Sequence, residues 1–177
     1  MSLQELWRSK GFLYYPTDKG KEHSYLDVYT ELFTPFKDEK INLIEIGIYL
    51  GGSLRLFEDW FSQANIIGYD VTLEYLRVPL SRSKKIIKNC MEFGLDEFKD
   101  YPPHIIIDDA SHILEQQLKM IEICYPQLLE GGMLIIEDVN DIMYNKSKFD
   151  NLNIPYKLYD LRLNKNRSDD VLIIFKK

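Results

Sequence analysis

The chain has 177 residues, of which 45% are hydrophobic, 13% aromatic and 28% charged. That supplies one domain with a full core and excludes intrinsic disorder and a fibrous repeat. The net charge of −6, from 22 basic and 28 acidic residues, argues against broad nucleic-acid binding, because phosphate contact requires a basic face.

In chain order, Leu3–Lys10 reads as a short helix closed by Gly11, followed by a polar turn at Thr17-Asp18-Lys19-Gly20. A second helix is predicted over His23–Phe33, with Leu26, Tyr29, Leu32 and Phe33 at helical spacing and Pro35 as its stop. Asn42–Gly47 reads as a strand running into a glycine turn. Ser53 is placed to cap a helix reaching Phe61. Asn65–Asp70 is a second strand, Leu73–Leu80 a short helix and Lys84–Lys88 a third strand. His104–Asp108 is a very apolar fourth strand, Ile113–Leu129 the longest helix and Met133–Glu137 a fifth strand. Tyr156–Leu163 and Val171–Phe175 flank the polar stretch Asn164–Asp170 and read as a hairpin. Apolar strands separated by helices imply a parallel sheet covered on both faces. The expected architecture is a doubly wound three-layer α/β sandwich, mostly parallel, with a C-terminal antiparallel hairpin. Residues 1–177 form one domain, divided into N-terminal helices with a covering segment (1–40) and a sheet core (41–177).

No apolar run approaches the ~18 residues of a membrane span, and the first residues lack the regions of a secretory signal. Cys90 and Cys124 are too few for a disulfide framework or a four-thiolate site, so a reducing, cytoplasmic setting is expected. With only His23, His104 and His112 available, a metal site must lean on carboxylates.

Ligands of such folds bind at the carboxyl ends of the strands. Acids stand on four of the strands here: Glu45 on the first, Asp70 ending the second, Asp108-Asp109 the fourth and Glu137-Asp138 the fifth. Solvated loop charge is the plain alternative for each. The first turn, Glu45-Ile-Gly47-Ile-Tyr49-Leu-Gly51-Gly52-Ser53, lacks the spacing of a dinucleotide fingerprint. Its glycines let a backbone approach a ligand, although tight helix–strand packing alone also accounts for them. Glu45 suits a cationic amino-acid moiety better than a phosphate, and Asp70 is placed to accept two ribose hydroxyls. Together they describe S-adenosylmethionine better than NAD.

Glu45-x-Gly47-x-x-x-Gly51-Gly52-Ser53, Asp70, Asp108-Asp109-x-Ser111-His112 and Gly131-Gly132-x5-Asp138 together resemble class I S-adenosylmethionine-dependent methyltransferases. More narrowly, they are similar to the metal-dependent O-methyltransferases of macrolide sugars and the related cephalosporin-biosynthesis enzymes. The resemblance runs from about Thr17 to Asp138. It implies a Rossmann-like methyltransferase fold, S-adenosylmethionine as cofactor, and Mg²⁺ held by Asp109, Glu137 and Asp138, with His112 as base. It also likens Thr17-Asp18-Lys19, with His23 and Tyr25, to an element that folds over the cofactor. Asn89 falls where the class meets the adenine. The cofactor set is therefore Thr17, Lys19, Glu45, Gly47, Tyr49, Ser53, Asp70, Asn89 and Asp108.

Physical reasoning points the same way. Adjacent strands, ~4.8 Å apart, would crowd the three proposed ligands into mutual repulsion unless a cation sits among them. An all-oxygen set suits Mg²⁺. A start-of-helix position for His112 would help keep its ring neutral. Alternatively, Ser111 caps the helix and His112 merely covers its end. The expected acceptor is a small hydroxylated molecule such as a sugar, with neither nucleic acid nor membrane as partner. If another subunit completes the acceptor site, the chain is a homo-oligomer. A catechol-type O-methyltransferase and a non-catalytic S-adenosylmethionine-binding domain are the alternatives.

Overall fold

The computed structural model describes residues 1–177. Seven strands form one sheet: β1 (Asn42–Ile46), β2 (Asn65–Asp70), β3 (Lys84–Ile87), β4 (Ile105–Asp108), β5 (Met133–Ile136), β6 (Tyr156–Asp160) and β7 (Val171–Lys176). Their order is β3-β2-β1-β4-β5-β7-β6. Only β7 runs antiparallel to its neighbours, β5 and β6. The strand order reverses between β1 and β4, so a crevice opens at their carboxyl ends.

Strand alternation divides the core in two. Leu43, Ile105, Ile107, Met133 and Ile135 face one layer; Ile44, Ile46, Ile106, Leu134 and Ile136 face the other. Helices α1 (Leu3–Lys10), α2 (Tyr25–Phe33) and α3 (Gly52–Trp60) cover the first face. Helices α4 (Leu114–Cys124) and α5 (Ile142–Asp150) cover the second. α1 opens with a capping box in which Ser2 and Glu5 each satisfy the other's backbone N–H. No helix is long and apolar enough to cross a membrane.

Several local expectations need correction. Leu73–Leu80 is a run of turns, because the Arg77 N–H is taken by the Leu50 carbonyl and Pro79 blocks a helix. Gly51, in a left-handed conformation, precedes α3 where Ser53 was the expected cap. The Ser53 hydroxyl donates instead to Glu45. The long helix stops at Cys124 and tightens into a 3₁₀ turn, Tyr125–Gln127, around Pro126. Helix α5 fills a stretch for which the sequence suggested no element. A short helix, α6 (Arg162–Lys165), interrupts the hairpin.

Candidate active site

The first turn is built by contact. A Cβ on Gly47, whose φ is +100°, would stand 2.0 Å from the carbonyl oxygen of Asp109, so only glycine lets this turn lie against the end of β4. A Cβ on Gly52 would meet the Pro16 carbonyl carbon at 2.3 Å. The segment after α1 is thereby pressed onto the start of α3. Asp70 ties the turn from the other side. Its Oδ2 accepts the N–H groups of Ile48 (2.8 Å) and Tyr49 (3.0 Å), and its Oδ1 accepts that of Thr72 (3.2 Å).

A cavity of about 630 Å³ opens between this turn, the ends of β2 and β4, and the Thr17–Glu22 segment. Gly47, Tyr49, Ser53, Asp70 and Asn89 line it together with Thr17, Asp109 and His112. Its volume lies within the ~300–1,000 Å³ of small-molecule sites. The Asn89 side chain accepts the Met91 N–H, and Tyr49 packs against Tyr75 with ring centroids 5.9 Å apart.

Strand periodicity sorts the acids. Glu45, Asp109 and Glu137 belong to the face that α2 covers, each two residues beyond Leu43, Ile107 and Ile135 on neighbouring strands. Asp108 points to the opposite face and does not reach the cavity. Burial, and then Asp109, push its carboxyl up to about 7. Glu45 is fully buried beneath the turn and also does not line the cavity. Burial raises its carboxyl to about 7, although Lys19 pulls the other way.

Lys19 does not line the cavity either. Its ammonium lies 2.5 Å from Asp109 Oδ2, 2.8 Å from Glu137 Oε2 and 3.6 Å from Glu45 Oε1. Burial pulls its value down, but Asp109, Glu137 and Glu45 outweigh it and hold the lysine well above its ordinary range. Three carboxylates share this one ammonium. Burial pushes Asp109 and Glu137 upward despite Lys19, helped by Asp138 and Asp18 at Asp109 and by Asp109 and Asp138 at Glu137.

Two tyrosines on α2 reach the consecutive acids after β5. The Tyr29 hydroxyl donates to Glu137 Oε1, and the Tyr25 hydroxyl to Asp138 Oδ1 at 2.6 Å. Their i, i+4 spacing places both on one helix face. That spacing was the available sequence signal for Tyr29, which the sequence pattern alone presented as core.

His112 lies between the outer acids, with Nδ1 3.6 Å from Asp138 Oδ2 and Nε2 3.9 Å from Asp109 Oδ1. It precedes α4 by two residues and does not sit within the helix. Tyr49, His112 and Asp138 all have positive φ, of 46°, 56° and 52°. Non-glycine residues in that region cost about 1–3 kcal/mol each and gather at functional sites. Ligand atoms of Asp109, His112 and Asp138 lie within 4.8 Å of one another, and the His112 Nδ1 is buried without a hydrogen-bond partner. Oxygen donors beside an orphaned imidazole nitrogen fit a divalent cation.

Sheet order and layers define a Rossmann-like methyltransferase fold. No family model matches the chain. In sequence it is similar to the 8-demethyl-8-alpha-L-rhamnosyl tetracenomycin-C 2'-O-methyltransferase of Streptomyces olivaceus, with 29% identity over 133 residues, covering 70% of this chain and 35% of that protein. The mycinamicin VI 2''-O-methyltransferase of Micromonospora griseorubida is also 29% identical, over 139 residues, with coverages of 71% and 34%. The similarity thus spans about a third of the length of these curated relatives. Among solved structures, the MycE methyltransferase of the mycinamycin pathway, in complex with Mg, SAH and mycinamycin VI, superimposes with a TM-score of 0.74 at 24% identity. That superposition covers all of this chain and 54% of MycE.

Proposed function

We propose that the protein is an S-adenosylmethionine-dependent, Mg²⁺-dependent O-methyltransferase acting on a hydroxyl of a small molecule, a sugar or glycosylated natural product. The observation that carries this reading is one cavity lined by Asp70, the glycine turn, Asp109 and His112, with Asp138 behind its wall converging on Asp109 and His112. The sugar O-methyltransferases similar in sequence support the acceptor class. Acids around the cavity, including Asp18, Glu22 and Asp109, suit a neutral acceptor better than a polyanion.

When bound, S-adenosylmethionine would supply an electrophilic methyl group, and a divalent cation a Lewis acid that lowers the pKa of a nearby hydroxyl. Asp70 orients the ribose. Three of the roughly four lone-pair sites of its carboxylate are already taken by N–H groups, which leaves one free on Oδ1. The Gly47 turn would let backbone approach the methionyl moiety, and Thr17, Tyr49 and Asn89, which line the same cavity, would complete the wall around the cofactor. Glu45 and Lys19 act from behind this wall. Asp109, Glu137 and Asp138 would hold the cation, and His112 would take the hydroxyl proton as the oxygen is methylated. Holding acceptor and methyl donor in register contributes much of the rate.

The test is methyl transfer from labelled S-adenosylmethionine to a panel of sugars, catechols and glycosylated natural products. Transfer to a sugar hydroxyl that stops in EDTA and returns with Mg²⁺ is expected. Transfer to catechols alone, or full activity in EDTA, refutes the reading.

A further inference from the structure

Between Asp18 and Ser24 the covering segment makes a single helical turn that is not continued. The N–H groups of Lys21, Glu22 and His23 all donate to the Asp18 carbonyl, at 3.0, 2.8 and 2.9 Å. A turn of this kind leaves its later carbonyls without partners of its own, as the end of a helix does. Lys165, on α6, meets them from far along the chain. Its ammonium donates to the carbonyls of Gly20 (2.9 Å), Lys21 (3.0 Å) and His23. An ammonium has three donors, and here all three are spent on backbone. A cation at this end also suits the negative pole of the aligned carbonyls.

The excursion between β6 and β7 that carries Lys165 is braced at both ends. Arg162 grips Asp160 with two bonds, at 2.8 and 2.7 Å, and Arg167 grips Asp169 with two, at 3.0 and 2.8 Å. The Leu161 N–H donates to the Asp170 carbonyl at the base of the excursion. Asp170, fully buried, adds a second tie, because its Oδ1 accepts the Ser24 N–H at 3.0 Å.

We propose that Lys165 is the latch of the cavity's covering wall and thereby sets how long a bound cofactor stays. Lys165 does not line the cavity, but Thr17, Asp18, Lys21 and Glu22 do, beside Asp70 and the glycine turn. Fixing the Gly20 and Lys21 carbonyls fixes the backbone from which those side chains form the wall. Lys165 is thus a positioning residue that acts through this turn. Lys19 ties the same turn from within, to Asp109 and Glu137, and is buried, whereas Lys165 is exposed. Local opening draws on the least buried contacts, so the outer tie is the one that releases first. The link to cofactor residence rests on the S-adenosylmethionine reading above.

The test pairs amide hydrogen exchange on the full chain, without ligand, with the rate at which S-adenosylhomocysteine leaves, followed by stopped flow. In Lys165→Met, exchange over Asp18–Ser24 should be about tenfold faster, while β1 and β4 keep the parent's rates. S-adenosylhomocysteine should leave about fivefold faster. Lys165→Arg keeps a cation and should fall between the parent and Lys165→Met in both measurements. Leu163→Ala, on the same short helix and 97% exposed, should match the parent. The proposal is overturned if Lys165→Met leaves exchange over Asp18–Ser24 unchanged, or speeds it equally in β1 and β4. It is also overturned if Leu163→Ala loosens the segment as much, if Lys165→Arg is no better than Lys165→Met, or if the segment loosens and release does not quicken. A parent that binds no S-adenosylhomocysteine refutes the cofactor reading instead, a separate failure, because the exchange comparison still decides whether Lys165 holds the segment.

Discussion

Asp70 Oδ2 accepts the Ile48 N–H at 2.8 Å, so the acid that ends β2 also fixes the turn that follows β1. On the proposed function the same carboxylate has a second task, meeting the ribose. Asp70→Ala removes both. We expect it to weaken S-adenosylhomocysteine binding by about 2–3 kcal/mol, the scale of hydrogen bonds to a charged acceptor. Calorimetry measures this directly. Unchanged affinity would remove Asp70 from the cofactor site.

Much of this site could be read from the chain, and the unread parts share a physical cause. Strands appear as short apolar runs, and β2 has the expected bounds, because parallel strands buried on both faces need little else. The glycine turn was legible because Gly47 answers a local backbone demand. Side-chain direction was only half legible. Asp108 and Asp109 are adjacent, so strand alternation must send them to opposite faces, and that rule places Asp108 away from the cavity. The partners of Lys19 were not legible. Asp109 and Glu137 lie 90 and 118 residues away, and their meeting depends on how the Thr17–Glu22 segment folds over the sheet. Glu45 looked like a cofactor ligand for the same reason, since nothing local reveals the lysine beneath the turn.

His112 separates chemistry from binding. His112→Ala should lower turnover by about 10²–10⁴, the usual range for a general base. S-adenosylhomocysteine affinity should stay within a few-fold, because Asp70 and the glycine turn are untouched. Steady-state kinetics paired with calorimetry gives both numbers. A parallel loss of cofactor affinity would make the ring a structural element and leave the base unassigned.

Gly52 tests the seating of the covering segment. An added Cβ would meet Pro16 backbone atoms at 2.3 Å, and neither chain can yield through a flexible side-chain end. Gly52→Ala should therefore cost about 1–3 kcal/mol, as overpacking does. The loss should be local. Hydrogen exchange should accelerate across Pro16–Lys19 more than in β1 or β4, and a uniform change would show that the contact does not hold the segment.

Glu58 offers a prediction about pH, remote from the candidate chemistry. From α3 it gathers the loop before β3, accepting the N–H groups of Ser81 (3.1 Å), Arg82 (2.8 Å) and Ser83 (2.7 Å). Burial pushes its carboxyl up, but the N–H groups of Arg82, Ser83 and Ser81 outweigh burial and hold it below its ordinary value of 4.5. A carboxyl whose value is lower when folded contributes stability above the unfolded value and loses it as pH falls through the folded one. Glu58→Gln replaces an acceptor of several N–H groups by an amide that cannot accept them all. At pH 7 it should destabilise the fold by about 1.5–3 kcal/mol, the range for hydrogen bonds to charged groups. At progressively lower pH, beginning below about 4.5, the difference between parent and variant should shrink, because the parent's carboxylate also becomes neutral. Urea unfolding at a series of pH values measures this gap. A gap that stays constant from pH 7 into the acid range would show that the carboxylate's charge does not hold the loop.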